Sequence, residues 1–255
     1  GLIVRLYQVD VFPRLYSADE QLFAQVALEL GERPRDFFLE PHIMKPHLLR
    51  VAGVRTAFSF LGVGLFQHRT VSVLEGALAI PLVYLLCRNL WGNRTGLFGA
   101  FLLAISPWHI GHSKVGVHDI EGPLFLLLLL LLTIRAVSRG GIRNFIVLGL
   151  ATGATVYLYL SCLIMAPYIF MMAIIGRYLT ARPGRTVFLK EAAALAESAT
   201  LIALPYFTVG WRHVSEVSGF YSSSGSDFLA AAADKGWNPL FALFVNFWSG
   251  IDYLF

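Results

Sequence analysis

The side chains with chemistry to offer fall in three short stretches. The first is Ser17-Ala18-Asp19-Glu20. Ser17 followed three residues later by Glu20 has the form of a capping box, and capping accounts for Glu20. Asp19 differs. Leu22, Phe23, Val26 and Leu30 stand three, four, seven and eleven residues beyond it, the spacing of one helix face, so Asp19 is expected on the apolar stripe. A carboxylate there is costly unless paired or used. Used, it can take a proton from an attacking hydroxyl. The helix macrodipole offers a plainer account, since it favours an acid in the first turn by about 0.3–1 kcal/mol.

The second stretch is Phe37-Phe38-Leu39-Glu40-Pro41-His42, running on to Lys45-Pro46. A lysine near a membrane interface either snorkels toward water or supplies a point charge for a phosphate. The third is Pro107-Trp108-His109-Ile110-Gly111-His112-Ser113-Lys114, then His118-Asp119-Ile120-Glu121. His109 and His112 sit three apart and can share a helix face as metal ligands, but two histidines without further fixed ligands do not make a metal motif. Asp119 opens a very apolar block, where the dipole again favours an acid. Glu75 lies inside another apolar block, with Arg5 and Arg55 as available partners. An acid in such a place is a functional suspect by default.

The elements that must carry these residues are membrane helices. Of 255 residues, 56% are hydrophobic and 14% charged. Ordinary soluble domains carry about 25% charged residues. The apolar residues also come in blocks, of which Leu124 to Leu132 is the purest, and blocks of about 18–20 residues read as spans. Spans are expected near 69–90, 95–110, 119–137, 144–160, 161–178 and 191–209, after a short apolar piece over 1–9 that resembles the end of a first span. The segment 10–68 is expected to be a loop carrying surface helices, one opening at Ser17 and stopping at Gly31, the next over about 46–66. Residues 210–255 hold a further loop and the start of another apolar stretch. The fold class is all-α and polytopic, with about seven or eight transmembrane helices.

Arg88 and Arg94, then Arg135, Arg139 and Arg143, then Arg177, Arg182, Arg185 and Lys190 fall in alternate connections. The positive-inside rule assigns these connections to the cytoplasm. Segment 10–68 and the 109–121 loop then face outward, and the acids gather at that face. A net charge of +4 spread between spans gives no basic stripe for nucleic acid. Cys87 and Cys162 both lie in apolar blocks, which argues against a disulfide framework. No internal repeat of the kind alternating-access transporters use is visible. The residues alone thus describe an acid-rich pocket with a lysine nearby, suited to a lipid phosphate at the interface, and they name no reaction.

The order of the motifs resembles the GT-C glycosyltransferases, in the branch of the protein O-mannosyltransferases and aminoarabinose transferases. Tyr16-Ser17-Ala18-Asp19-Glu20 resembles the Asp-Glu motif of their first outer loop, and Lys45-Pro46 the Lys-Pro pair ending that loop. Arg69 to Gly99, with Leu90-Trp91-Gly92-Asn93-Arg94-Thr95-Gly96-Leu97, is similar to the second and third spans, Ser106 to Glu121 to the next outer turn, and Asn144 to Leu160 to the span after it. The likeness covers most of residues 5–210, the N-terminal part of such an enzyme. It implies transfer of a sugar from a polyprenyl-phosphate donor to an acceptor at the outer face of a bacterial plasma membrane. Asp19 would be the catalytic acid that activates the acceptor hydroxyl, with Glu20 beside it and Asp119 as a second acid. Lys45 would engage the donor phosphate, and His109, His112, His118 and Glu121 would stand behind them. No metal ligand set is implied: Met44 stands where some members carry an acid, leaving a divalent metal unsupported. Partners would be membrane lipid, the lipid-linked sugar and other membrane subunits. The alternative is a shortened, non-catalytic relative serving as an accessory subunit, with the aromatic stretch Trp237 to Trp248 as its interface.

Overall fold

A computed structural model describes residues 1–11, 17–32, 47–158, 162 and 164–206. The described residues form helices joined by short turns: α1 (Leu2–Leu6), α2 (Ala18–Glu32), α3 (Leu48–Leu61), α4 (Leu65–Trp91), α5 (Asn93–Ile105), α6 (Pro107–Ser113), α7 (Glu121–Arg139), α8 (Ile142–Ala154) and α9 (Met165–Ala181). A last helix, α10, runs over 185–206. Single 3₁₀ turns at His118–Ile120 and Thr155–Tyr157 precede α7 and follow α8. Residues 207–255, with the stretch Trp237 to Trp248, lie outside the described residues.

Local chemistry sets the breaks. The surface helix expected over about 46–66 stops at Leu61, because Gly62 takes φ 85°, a left-handed conformation cheap for glycine and strained for other residues. The chain then re-enters as α4, four residues earlier than the expected 69. The element expected over 95–110 is divided at Ser106. The Ser106 hydroxyl accepts from the His109 N–H at 3.4 Å and Pro107 occupies the first helical turn, where a proline's missing N–H costs nothing.

The stretches Leu65–Trp91 and His118–Arg139 are long and apolar enough to cross a membrane, and shorter apolar helices cover 93–105, 142–157 and 165–181. Large apolar side chains lie uncovered on α5 (Leu97, Phe98, Phe101, Leu102) and on α9 (Tyr168, Met171, Met172, Ile175), which suits contact with lipid tails.

Neighbouring contacts fix the helix directions. Ser72, near the start of α4, meets the Val117 carbonyl just before α7. Gly122 and Met165, at the starts of α7 and α9, are neighbours, as are Val137 and Gly176 toward their ends. Helices α4, α7 and α9 therefore run parallel, and the connections following them gather at one end. Arg88, Arg94, Arg135, Arg139, Arg143, Arg182, Arg185 and Lys190 are all exposed there. The same end is stapled by Glu191. Its carboxylate accepts from Arg177 Nε at 2.8 Å and Nη2 at 3.0 Å, and from the Gly141 N–H at 2.6 Å. Above it, Leu129, Phe145, Leu148, Ile169, Ala173 and Leu195 pack α7 to α10 together. Gly149 and Gly153 let α10 come so close that a Cβ at either position would collide with Leu195, Ser198 or Ala199. A second apolar cluster joins Phe23, Val26 and Ala27 of α2 to Val51, Val54 and Phe58 of α3.

Candidate active site

The end opposite the exposed arginines holds Asp19, Glu20, Glu75, Asp119 and Glu121, and their environments differ sharply. Glu20 is fully buried. The capping box forms as expected: the Glu20 N–H donates to Ser17 Oγ and the Ser17 N–H donates to Glu20 Oε2, each at 3.1 Å. Capping is only part of its role, however. Arg69 grips the same carboxylate with Nε on Oε1 at 2.7 Å and Nη2 on Oε2 at 3.0 Å, and the Gly116 N–H donates to Oε1 at 2.7 Å. Arg69 Nη1 donates onward to the Val9 carbonyl at 2.9 Å. Gly116 is required, since a Cβ there would stand 2.9 Å from Glu20 Oε1 and 3.0 Å from His68 Nε2. Burial alone would raise the Glu20 carboxyl, but the Arg69, Gly116 and Ser17 donors outweigh it and hold the group below the usual carboxylate range. One glutamate thus ties together the chain after α1, the start of α2, the start of α4 and the loop before α7.

Asp19 corrects an expectation. It is exposed, and the buried face of α2 runs instead through Glu20, Phe23, Val26 and Ala27. Asp19 sits at the rim, close enough to His118 for its charge to act there. Asp119 lies in the same neighbourhood, about one-third exposed at 35%. Its Oδ2 is 3.1 Å from His112 Nδ1 and its Oδ1 is 3.8 Å from His118 Nε2. The His118 ring stacks at a tilt on His47, 4.9 Å between centroids, and Phe23 meets both rings edge-on. His112 in turn lies on Trp108 at 4.3 Å. The fold therefore brings together Asp19, His112, His118 and Asp119, and adds His47. Lys45 lies outside the described residues.

His109 goes elsewhere. Its Nδ1 is 2.7 Å from Arg5 Nη2, while His112 turns to Asp119, so the two histidines three apart do not face a common point. Among the described residues no group of three His, Cys, Asp or Glu is arranged to hold a metal. Arg5 also donates to the Leu103 and Ala104 carbonyls at the end of α5 and to Ser113. That geometry satisfies orphan carbonyls and complements the negative helix end.

Glu75 likewise pairs with neither Arg5 nor Arg55. Its carboxylate accepts from Arg50 Nη1 at 3.0 Å, and Arg50 Nη2 donates to Ser72 at 2.7 Å. Glu121, only 3% exposed, stands 3.8 Å from Arg50 Nε. Arg50 and Arg69 are the functional-end residues that sequence reasoning missed. Arg69 carried a signal: an arginine entering a long apolar block is costly unless paired, so it needs an acid partner.

Burial sets a pH dependence. It pushes the His47 and His109 imidazoles down to about 4, helped by His118 at the first and by Arg5, then His112, at the second. Both are neutral in the folded state near pH 7. An unfolded chain binds those protons near pH 6.5, so stability is full above 6.5 and declines as pH falls toward 4. Glu20 adds a loss below its unfolded value near 4.5. Thermal unfolding in detergent is expected to show a midpoint that drops steadily from pH 7 to 4. The His109→Gln variant should flatten the upper part of that slope.

The sequence model of the dolichyl-phosphate-mannose-protein mannosyltransferase family matches residues 53–211. That range takes in most of α3, all of α4 to α10, and with them Arg69, Glu75 and the whole run from His109 to Glu121. No curated protein and no solved structure matches the chain. A match over more than half of the sequence, on a bundle with two membrane-length apolar helices, settles the family: the chain belongs to the dolichyl-phosphate-mannose-protein mannosyltransferases, integral membrane glycosyltransferases of the GT-C type.

Proposed function

We propose that this chain moves a sugar from a polyprenyl-phosphate donor to a hydroxyl-bearing acceptor at the outer membrane face, with Asp19 and Asp119 as the acids open to substrate. The observation that carries the reading is the gathering of Asp19, His118, Asp119 and His112 at the bundle end remote from the arginine-rich connections. By the positive-inside rule that end faces outward. In the reaction the acceptor oxygen attacks the anomeric carbon, the bond from that carbon to the phosphate oxygen breaks, and the phosphate leaves with the electron pair. A carboxylate takes the proton released by the acceptor. Asp19 is suited to this because it is exposed, and Asp119, oriented by His112 without being covered, holds the acceptor hydroxyl as the second acid, while Glu20 is engaged by Arg69 and two N–H groups. Lys45 is assigned to the departing phosphate, as a cation should be. An apolar cleft of about 350 Å³, lined by Ala24, Phe58, Val63, Gly64 and Leu65, opens beside α2 and supports a place for part of the isoprenoid tail.

The test is transfer in vesicles containing the protein and dolichyl-phosphate mannose labelled in the sugar. Asp119→Asn is expected to lower the transfer rate by about 10–100-fold, the worth of one charge-assisted hydrogen bond to the acceptor. Undiminished transfer would remove Asp119 from the mechanism.

A further inference from the structure

The interior beneath the acid cluster holds an unbalanced set of hydrogen-bonding groups. Arg50 is fully buried, and two of its three nitrogens are engaged, by Glu75 at 3.0 Å and Ser72 at 2.7 Å. The third, Nε, makes no hydrogen bond, and neither oxygen of Glu121 accepts one. These orphaned groups face each other across 3.8 Å. A buried donor or acceptor left unmade costs about 1–3 kcal/mol, and more when charged. Glu121 therefore does not behave as a structural staple, in contrast to Glu20 and Glu191, whose oxygens are filled.

The gap has a chemical signature. At 3.8 Å a direct hydrogen bond is too long, but two bonds of about 2.8 Å meeting at one oxygen span it. The bridging atom must accept from the Arg50 N–H and donate to the Glu121 carboxylate. A hydroxyl does both, whether of a sugar or of a water. An ammonium donates only, and a phosphate diester accepts only.

We infer that Glu121 and Arg50 form a recognition subsite for one hydroxyl of the donor sugar, with Glu121 as a specificity-determining residue. The inference rests on the transferase reading above and deepens it. Glu75 and Ser72 act as positioning residues, since they hold the guanidinium so that Nε faces Glu121.

The experiment measures kcat/KM in vesicles for dolichyl-phosphate mannose and for analogues lacking, in turn, the 2-, 3-, 4- and 6-hydroxyl. The wild-type protein is expected to reject one analogue by about 10–100-fold, the worth of one charge-assisted hydrogen bond. Glu121→Gln, whose amide oxygen still accepts but more weakly, should cut that discrimination to a few-fold, act on the other analogues as on the parent sugar, and keep the wild-type thermal midpoint. Equal discrimination in Glu121→Gln, or none in the wild type, the result if a water alone bridges the two groups, would overturn the subsite while leaving the transferase reading in place. A Glu121→Gln variant that fails to fold would also overturn it, by making Glu121 a structural partner. No transfer of any of these sugars by the wild type would overturn both.

Discussion

Arg69→Ala is expected to cost about 3–5 kcal/mol, the penalty for removing one partner of a buried pair, and to leave little protein that survives extraction as a folded species. Of the four hydrogen bonds that described residues give the Glu20 carboxylate, the Arg69 guanidinium supplies two, and it gives one more to Val9, all in a fully buried setting. Without it an uncompensated carboxylate stays inside, beside His68 and Gly116. The chain after α1, helix α2 and the loop before α7 lose their common anchor. Extraction yield and thermal unfolding in detergent measure the effect. Replacing both partners, Glu20→Leu with Arg69→Met, should recover part of the loss, because apolar substitution of a whole pair is far less costly than breaking it. A single variant within about 1 kcal/mol of wild type, the range of an exposed ion pair, would show the pair to be solvated.

Asp19→Asn should have the second large effect, on rate rather than on folding. Asp19 is exposed at the rim of the acid cluster, so asparagine there disturbs no buried contact and still suits the first turn of a helix. If its carboxylate takes the acceptor's proton, the amide cannot, and transfer falls by about 10²–10⁴-fold. The expected change is in kcat, with the KM for the lipid-linked donor little altered, because removing a proton acceptor touches the transition state more than donor binding.

Much of this was legible in the sequence, for identifiable reasons. The capping box at Ser17 and Glu20 is a local motif, and local motifs survive into structure because they are closed by neighbouring backbone. The apolar blocks placed the helices of the bundle, and the arginine-rich connections do collect at one end. What was hidden depends on contacts between segments distant in sequence. Asp19 and Glu20 differ by one position, or about 100° around a helix, and spacing alone put the wrong one on the buried stripe. The partner of Glu75 is 25 residues back on α3. Periodicity says which face of α3 is apolar, but it does not say which arginine reaches inward. The break at Ser106 was readable from Ser-Pro chemistry, yet the surrounding apolar run masked it. Gly149 and Gly153 stand four apart, a spacing that lets helices approach closely, and α10 does pack there.

The central claim is a division of labour between adjacent acids: Glu20 holds the frame and Asp19 does chemistry. Its most direct test compares Asp19→Asn with Glu20→Gln, reading the thermal midpoint in detergent and transfer from dolichyl-phosphate mannose in vesicles. Asp19→Asn should keep the wild-type midpoint and lose transfer, while Glu20→Gln should unfold at a markedly lower temperature. An Asp19→Asn protein that transfers sugar at the wild-type rate, or a Glu20→Gln protein as stable as wild type, would contradict it.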